Sequence, residues 1–245
     1  MNQNMLDTYQ ISNISDLISG NPYVGRGIIS GMTPDGKKAV SAYFIMGRSV
    51  NSRNRVFVED GEDLMIKPYD ESKVEDPSLI IYYPLRMIPH GMIVTNGDQT
   101  DTIRDFTARG QSFIDALRTR EFEPDFPNLT PRISSELDFD QSSYSMSILK
   151  SGDPDGKTCS RYFFEYAMQP GLGHFIHTYE TDGDPIPTFI GEPDRVNISQ
   201  DIDDLTAEIW DSLDYYNKIS LYVRYVDLEI GSFESRLINK YKQNK

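Results

Sequence analysis

Residues 23–46 read YVGRGIISGMTPDGKKAVSAYFIM. Residues 23–30 and 38–46 are rich in β-branched and aromatic side chains, with Pro34-Asp35-Gly36 between them. Proline presets φ for a turn and glycine accepts its left-handed position, so the stretch predicts a hairpin of two antiparallel strands. Gly25-x-Gly27 would open a dinucleotide-binding loop only if a third glycine and a helix followed. Ser30 takes the third glycine's place and a strand follows, which argues against a doubly wound nucleotide fold. Gly171-x-Gly173 has the same weakness.

Outward from the hairpin, residues 13–19 predict a short helix capped by Asn13 and ended by Gly20. Residues 56–58, 78–83 and 91–95 are further β-rich runs. Between residues 100 and 120 the period changes: Ile103, Phe106, Gly110, Phe113, Ile114 and Leu117 share one face of a helix. Pro124, Pro127 and Pro131 make residues 121–132 a shaped loop, and a strand is expected around 143–149. Pro154-Asp155-Gly156 repeats the turn tripeptide before strands at 158–168 and 173–179. A helix at 201–218, a strand at 219–230 and a charged helix at 232–242 complete the chain. Interleaved helices and hairpin-joined strands predict an α+β fold with two antiparallel sheets stacked between helical layers. No Gly-, Ser- or Pro-rich linker divides residues 1–245, so a single domain is expected.

The 245 residues carry 24 Lys+Arg against 38 Asp+Glu, a net charge of −14, and one cysteine, Cys159. A lone cysteine excludes a disulfide framework, and no apolar run or charged-then-apolar leader suggests a membrane or secretory route, so a cytoplasmic protein is expected. The acidic total argues against nucleic-acid or membrane partners. The charge is unevenly spread. Residues 17–58 hold Arg26, Lys37, Lys38, Arg48, Arg53 and Arg55 against Asp35 alone, a local +5 that leaves −19 on the rest. Such an island reads either as a local anion site built from arginine forks or as a solvated segment paired with acids elsewhere.

Other constellations are weaker. His174-x-x-His177 with Glu180 has a spacing that puts the two imidazoles of a strand on opposite faces, so no metal is expected. Cys159 follows a tight turn with no nucleophile elbow nearby. Asn96-Gly97-Asp98-Gln99-Thr100-Asp101 leaves a β-run and enters a helix, where backbone N–H groups face a ligand. Asp98 and Asp101 would repel a phosphate there and suit hydroxyls or an amide of a ligand better, and taken alone the stretch reads first as an Asn-Gly turn and helix cap.

Residues 42–49 (AYFIMGRS), Ser52-Arg53-Asn54-Arg55 and residues 95–101 (TNGDQTD) resemble segments of the archaeal-type IMP cyclohydrolases and their bacterial relatives. Tyr23-x-Gly25-Arg26, Tyr82-x-Pro84-Leu85-Arg86, Glu123-x-Asp125 and Thr130-Pro131-Arg132-Ile133 extend the resemblance in family order over roughly residues 21–135. The resemblance implies the four-layer αββα sandwich of N-terminal-nucleophile hydrolases, although no Cys, Ser or Thr opens the first strand here. It implies cofactor-free closure of a formylated aminoimidazole carboxamide ribonucleotide to inosine monophosphate, with a purine nucleotide as small-molecule partner and homo-oligomers possible for such an enzyme. Tyr82, Glu123 and Arg55 are then the expected catalytic residues. Arg26, Arg48, Ser49, Arg53, Asn54, Asn96, Gly97, Asp98 and Arg132 are the expected substrate contacts. Arg53-Asn54-Arg55 stands where archaeal members carry a single Asn-Arg pair, so the family arginine falls on either Arg53 or Arg55. Residues 1–20 and the C-terminal helix are expected to be additions to the shorter archaeal chain. A different purine-nucleotide hydrolase or cyclase, or a non-catalytic nucleotide-binding protein, are the alternative readings.

Overall fold

The computed structural model describes residues 9–73 and 82–241. The predicted hairpin is present. Strands β1 (Arg26–Met32) and β2 (Lys38–Met46) pair antiparallel, Arg26 against Ile45 and Met32 against Ala39. Gly36 completes the turn at φ +72, a value that favours glycine. Both strands are buried almost throughout, which is why they read as apolar runs rather than as alternation.

Helix α1 (Ile14–Ile18) precedes the hairpin and α2 (Val50–Arg53) follows it. Then come β3 (Val56–Asp60), β4 (Asp63–Lys67), β5 (Leu85–Ile88), β6 (Gly91–Thr95), α3 (Gln99–Thr107) and α4 (Phe113–Arg118). The second half holds β7 (Arg132–Asp138), β8 (Ser143–Ser151), β9 (Cys159–Ala167), β10 (Leu172–His177), β11 (Asp194–Asn197), α5 (Ile202–Ser212), β12 (Lys218–Asp227) and β13 (Phe233–Asn239). The strands form two antiparallel sheets, ordered β11-β10-β1-β2-β12-β13 and β3-β4-β5-β6-β7-β8-β9.

Side-chain alternation sorts the core. Ile28, Tyr43 and Tyr222 of the six-stranded sheet pack with Ile66, Val94 and Met146 of the seven-stranded one. One residue on, Ile29, Phe44 and Val223 turn to the other face and meet Ile14 and Ile18 of α1 and Leu205 and Ile209 of α5. Ile93 and Leu149 likewise meet Ile103 of α3 and Phe113 and Leu117 of α4. Helix α1, within the segment expected to be an extension, is therefore core. Among the described residues no helix is long and apolar enough to cross a membrane.

The structure corrects several expectations. The charged C-terminal segment is not a helix but β13, paired with β12 from Val226–Phe233 to Ser220–Asn239. An edge strand is partly solvated and accepts charges, so the charge pattern could not separate the two states. The helix expected over 100–120 is two helices. Gly110, at φ +74, stands between them, and the Ser112 side chain accepts from Asp115 N–H to start α4. The helix expected over 201–218 ends at Ser212, because the Asp214 carboxylate takes the N–H groups of Tyr216 and Asn217. Strands β4, β5, β7 and β11 and helix α2 were not anticipated. Of the strand expected at 78–83, residues 78–81 lie outside the described residues, and Tyr82 and Tyr83 precede β5.

His174 and His177 do fall on opposite faces of β10. Tyr144 Oη lies 2.6 Å from His174 Nδ1 and the Tyr166 ring stacks at 3.6 Å, while His177 stacks on Phe175. Burial, with Arg195 nearby, pushes the His174 pKa down to about 4, so folding selects the neutral imidazole. Its contribution is complete above the ordinary histidine value of 6.5 and is lost as pH falls towards 4. At 1.36 kcal/mol per unit this amounts to about 3 kcal/mol. Urea unfolding between pH 7 and 4.5 should show wild-type stability falling more steeply than that of His174→Gln; parallel curves would refute the assignment.

Candidate active site

Antiparallel pairing gathers the start of β1, the ends of β2, β6 and β10 and the start of β7 at one end of the two sheets. A cavity of about 450 Å³ opens there, within the range of small-molecule sites. Arg26 reaches it from β1. Arg48 and Ser49 reach it from the turn after β2, and Arg55 from the residue before β3. Tyr82, Gly97, Asp98, Glu123 and Arg132 complete the sequence-predicted part of its wall.

Gly25 sets Arg26 in place. It has φ +79, and a Cβ there would stand 2.1 Å from Thr178 Oγ1 and 2.5 Å from the Tyr179 ring. The glycine thus lets β10's exit close on the start of β1. Arg26 is buried, its Nε has no hydrogen-bond partner, and its side chain forms no ion pair among the described residues. Burial alone would lower its pKa, but Tyr23, Glu123, Tyr179 and Tyr82 together hold it above the ordinary guanidinium value. Arg55 Nε is likewise buried without a partner. Arg132 Nε is buried without a partner too, so three arginines face one cavity with donors unused, an arrangement suited to a bound anion.

Arg48 and Arg132 also engage neighbouring side chains, Arg132 through one Nη alone. Arg48 pairs with Asp182, donates to Gly183 O at 2.9 Å and lies over the Tyr23 ring at 5.1 Å. Arg132 donates to Asp98 at 2.7 Å and Gln99 at 2.6 Å. Asp98 also accepts from Arg120. Burial alone would raise Asp98, but Arg120 and Arg132 hold its carboxyl below the ordinary value, so it is an anion with two cations attached. Its expected repulsion of a phosphate is thereby offset. Asp101 is similarly paired with Arg86 and Arg104.

Tyr82 is buried, its Oη 3.4 Å from that of Tyr43. Burial raises its pKa despite Arg55 and Arg26, so Tyr82 stays a phenol at neutral pH and can donate a hydrogen bond. Glu123 stands in the proline-shaped loop. Its N–H donates to Thr130 O at 2.9 Å, and Asp125 ties the loop by accepting from Thr130 N at 2.6 Å and Thr130 Oγ1 at 2.5 Å. Thr130 Oγ1 is 2.6 Å from Tyr179 Oη, and Tyr179 stacks on Tyr23 at 5.7 Å. Burial pushes the Tyr179 pKa up to about 12. Tyr179 and Asn128 also line the cavity and were not singled out from sequence. They are far from the arginine island along the chain, and no spacing links them to it.

Three expected contacts are elsewhere. Arg53 donates to Gly47 O and Asn217 Oδ1, tying α2 to the turn before β12. Asn54 is buried and bonds the Asp70 backbone through both ends of its amide. Asn96 accepts from Ile133 N–H and donates to Pro131 O, holding the start of β7 in place. These side chains shape the wall rather than form it. Of Arg53 and Arg55, only Arg55 lines the cavity.

Comparison with known proteins finds relatives of one kind. The family model described as "IMP cyclohydrolase-like protein" matches residues 23–230. The IMP cyclohydrolase of Methanopyrus kandleri is 29% identical over 180 residues, covering 68% of this chain and 89% of that protein. The IMP cyclohydrolase of Methanococcus aeolicus is 30% identical over 162 residues, 64% of this chain and 74% of that protein. That of Methanocella arvoryzae is 33% identical over 118 residues, covering 46% of this chain and 56% of that protein.

Proposed function

Because this chain belongs to the IMP cyclohydrolase-like family, we propose that it closes the purine ring of 5-formamidoimidazole-4-carboxamide ribonucleotide, releasing inosine monophosphate and water. The observation that carries the reading is the buried, unpartnered Nε of three arginines, Arg26, Arg55 and Arg132, in the same cavity as Tyr82 and Glu123. Anionic substrate groups would satisfy those donors.

Nucleophile and electrophile are on one molecule, so much of the work is holding a reactive rotamer. As the carboxamide nitrogen attacks the formyl carbon, the formyl oxygen gains negative charge. The Tyr82 phenol and an arginine fork donate to it. Glu123 takes the proton that the carboxamide nitrogen loses. The resulting carbinolamine expels its hydroxyl as water while the formamido nitrogen gives up its proton, leaving the ring double bond. Arg48 and Arg132, at the cavity wall, would share the 5′-phosphate with the island arginines, and Ser49, Gly97 and Asp98 would contact ribose or base.

We place this chemistry on a single four-layer αββα domain of the N-terminal-nucleophile type. The shared inter-sheet core and the helices on each outer face support that reading. A lone cysteine suits a cytoplasmic enzyme. The test is ultraviolet detection of inosine monophosphate from the formylated ribonucleotide, with and without a chelator. Turnover above the uncatalysed rate establishes the reaction. A thermal shift by the nucleotide without turnover would move the reading to a different purine nucleotide or to a binding protein. Tyr82→Phe is expected to lower kcat about 100-fold, the lower range for one oxyanion donor, with KM little changed; wild-type kcat in that variant would remove Tyr82 from the mechanism.

A further inference from the structure

Two open sheets leave four edges, and the molecule treats them differently. Edge β11 is covered by the chain near Ser12, which bonds Arg195 O and Asn197 N–H. At β3, the Asn239 side chain occupies both Phe57 N–H and Phe57 O. At β13, antiparallel pairing of the strand with a copy of itself about its centre would set Arg236 against Arg236, a like-charge contact that discourages association.

The last edge, β9, is different. It is nine residues long, every one of them at least partly exposed, and Tyr162 is 45% exposed. Its sequence, CSRYFFEYA, is self-complementary about Phe163. Antiparallel pairing on that centre sets Arg161 opposite Glu165 of a second copy, twice, and Tyr162 opposite Phe164, twice. Ser160 then faces Tyr166. Arg161, Phe163 and Glu165 share the face of the sheet that carries α3 and α4, as strand alternation requires and as Phe163's packing there shows. Residues directly opposite on one face approach closely enough for their side chains to interact. Glu165 has no ion pair among the described residues; Arg161 donates to Arg120 O at 2.8 and 3.2 Å and to Cys159 O at 3.4 Å, but its one carboxylate neighbour among the described residues, Glu121, stands 3.7 Å away, so its charge lacks a close anion. Moving the centre to residue 161 or 165 would set like charges together. Moving it by a single residue would put Arg161 and Glu165 opposite uncharged neighbours.

We infer that β9 is a self-pairing edge through which two copies of this chain join about a two-fold axis at Phe163, continuing the seven-stranded sheet from one protomer into the other. Such a contact is isologous, so one substitution is felt twice. Backbone pairing supplies the attraction, as in other strand additions, and the two Arg161–Glu165 pairs fix the register.

Sedimentation of the full chain at micromolar concentration tests this. The wild type should sediment at twice the 28.0 kDa chain mass or a multiple of it. Glu165→Arg should halve the observed mass, and adding Arg161→Glu to it should restore the mass by exchanging the two charges. Circular dichroism melting of each variant verifies that a lowered mass comes from a folded chain. A wild type at 28.0 kDa, a Glu165→Arg variant of unchanged mass, or a double variant that fails to reassociate would each overturn the inference.

Discussion

Arg26→Met is expected to lower kcat/KM at least 100-fold while leaving the fold as stable as before or more so. The two halves of that result come from one observation. The Arg26 guanidinium is buried, and its Nε lacks a partner. Burying a charge is costly unless it is paired and hydrogen-bonded, and among the described residues the Arg26 side chain forms no ion pair. Methionine keeps the unbranched stem of the side chain as far as the Nε position and removes the charge, so the empty protein should lose little. With substrate present the balance reverses. A hydrogen bond to a charged group contributes about 1.5–3 kcal/mol, and a guanidinium can supply two. Each 1.4 kcal/mol is tenfold, which gives the 100-fold minimum. Thermal melting and steady-state kinetics on the same preparation check both halves. A melting temperature several degrees lower would show that Arg26 holds the sheets together rather than a ligand.

The sequence was most readable where local chemistry and tertiary structure agree. The Pro34-Asp35-Gly36 turn and its flanking β-rich runs specify β1 and β2 by themselves, and with them an antiparallel rather than doubly wound sheet. β13 was hidden because Phe233–Asn239 owes its state to pairing with β12, a partner that spacing alone does not reveal. Gly110 was misread for a different reason. It falls in phase with the apolar face of α3 and α4, so periodicity runs through it, while its positive φ breaks the helix.

At the site, the arginine island was visible as a charge imbalance, but the island does not say which arginines turn inward. Alternation along β1 and the turn of α2 decide it: Arg26 and Arg55 face the cavity, and Arg53 faces Asn217. Asn54 and Asn96 illustrate the same limit. Both belong to the matched segments, yet each uses its amide to fasten backbone behind the wall. Tyr179 was out of reach because it arrives from the end of β10, and only sheet topology brings β10 beside β1.

Glu123→Gln should produce the complementary defect: kcat lowered about 100- to 10,000-fold, the usual range for a positioned acid–base group, with KM within a few-fold of wild type. The amide keeps the shape of the side chain and leaves Thr130 O bonded to the Glu123 backbone N–H, so the loop should hold. What it loses is the lone pair that receives the carboxamide proton. Because that proton leaves only as the new bond forms, the loss falls on the transition state and not on the bound ground state. Inosine monophosphate should therefore still raise the melting temperature of Glu123→Gln, whereas Arg26→Met should bind it poorly. Glu123→Asp, which keeps a carboxylate on a shorter stem, should recover part of the rate. If Glu123→Gln instead raises KM with kcat intact, Glu123 orients substrate, and the proton goes to another acceptor, with Asp125 and Asp98 the further carboxylates among the described residues of this wall. A Glu123→Gln variant with wild-type kinetics throughout would leave the carboxylate with no part in the reaction beyond its field at Arg26.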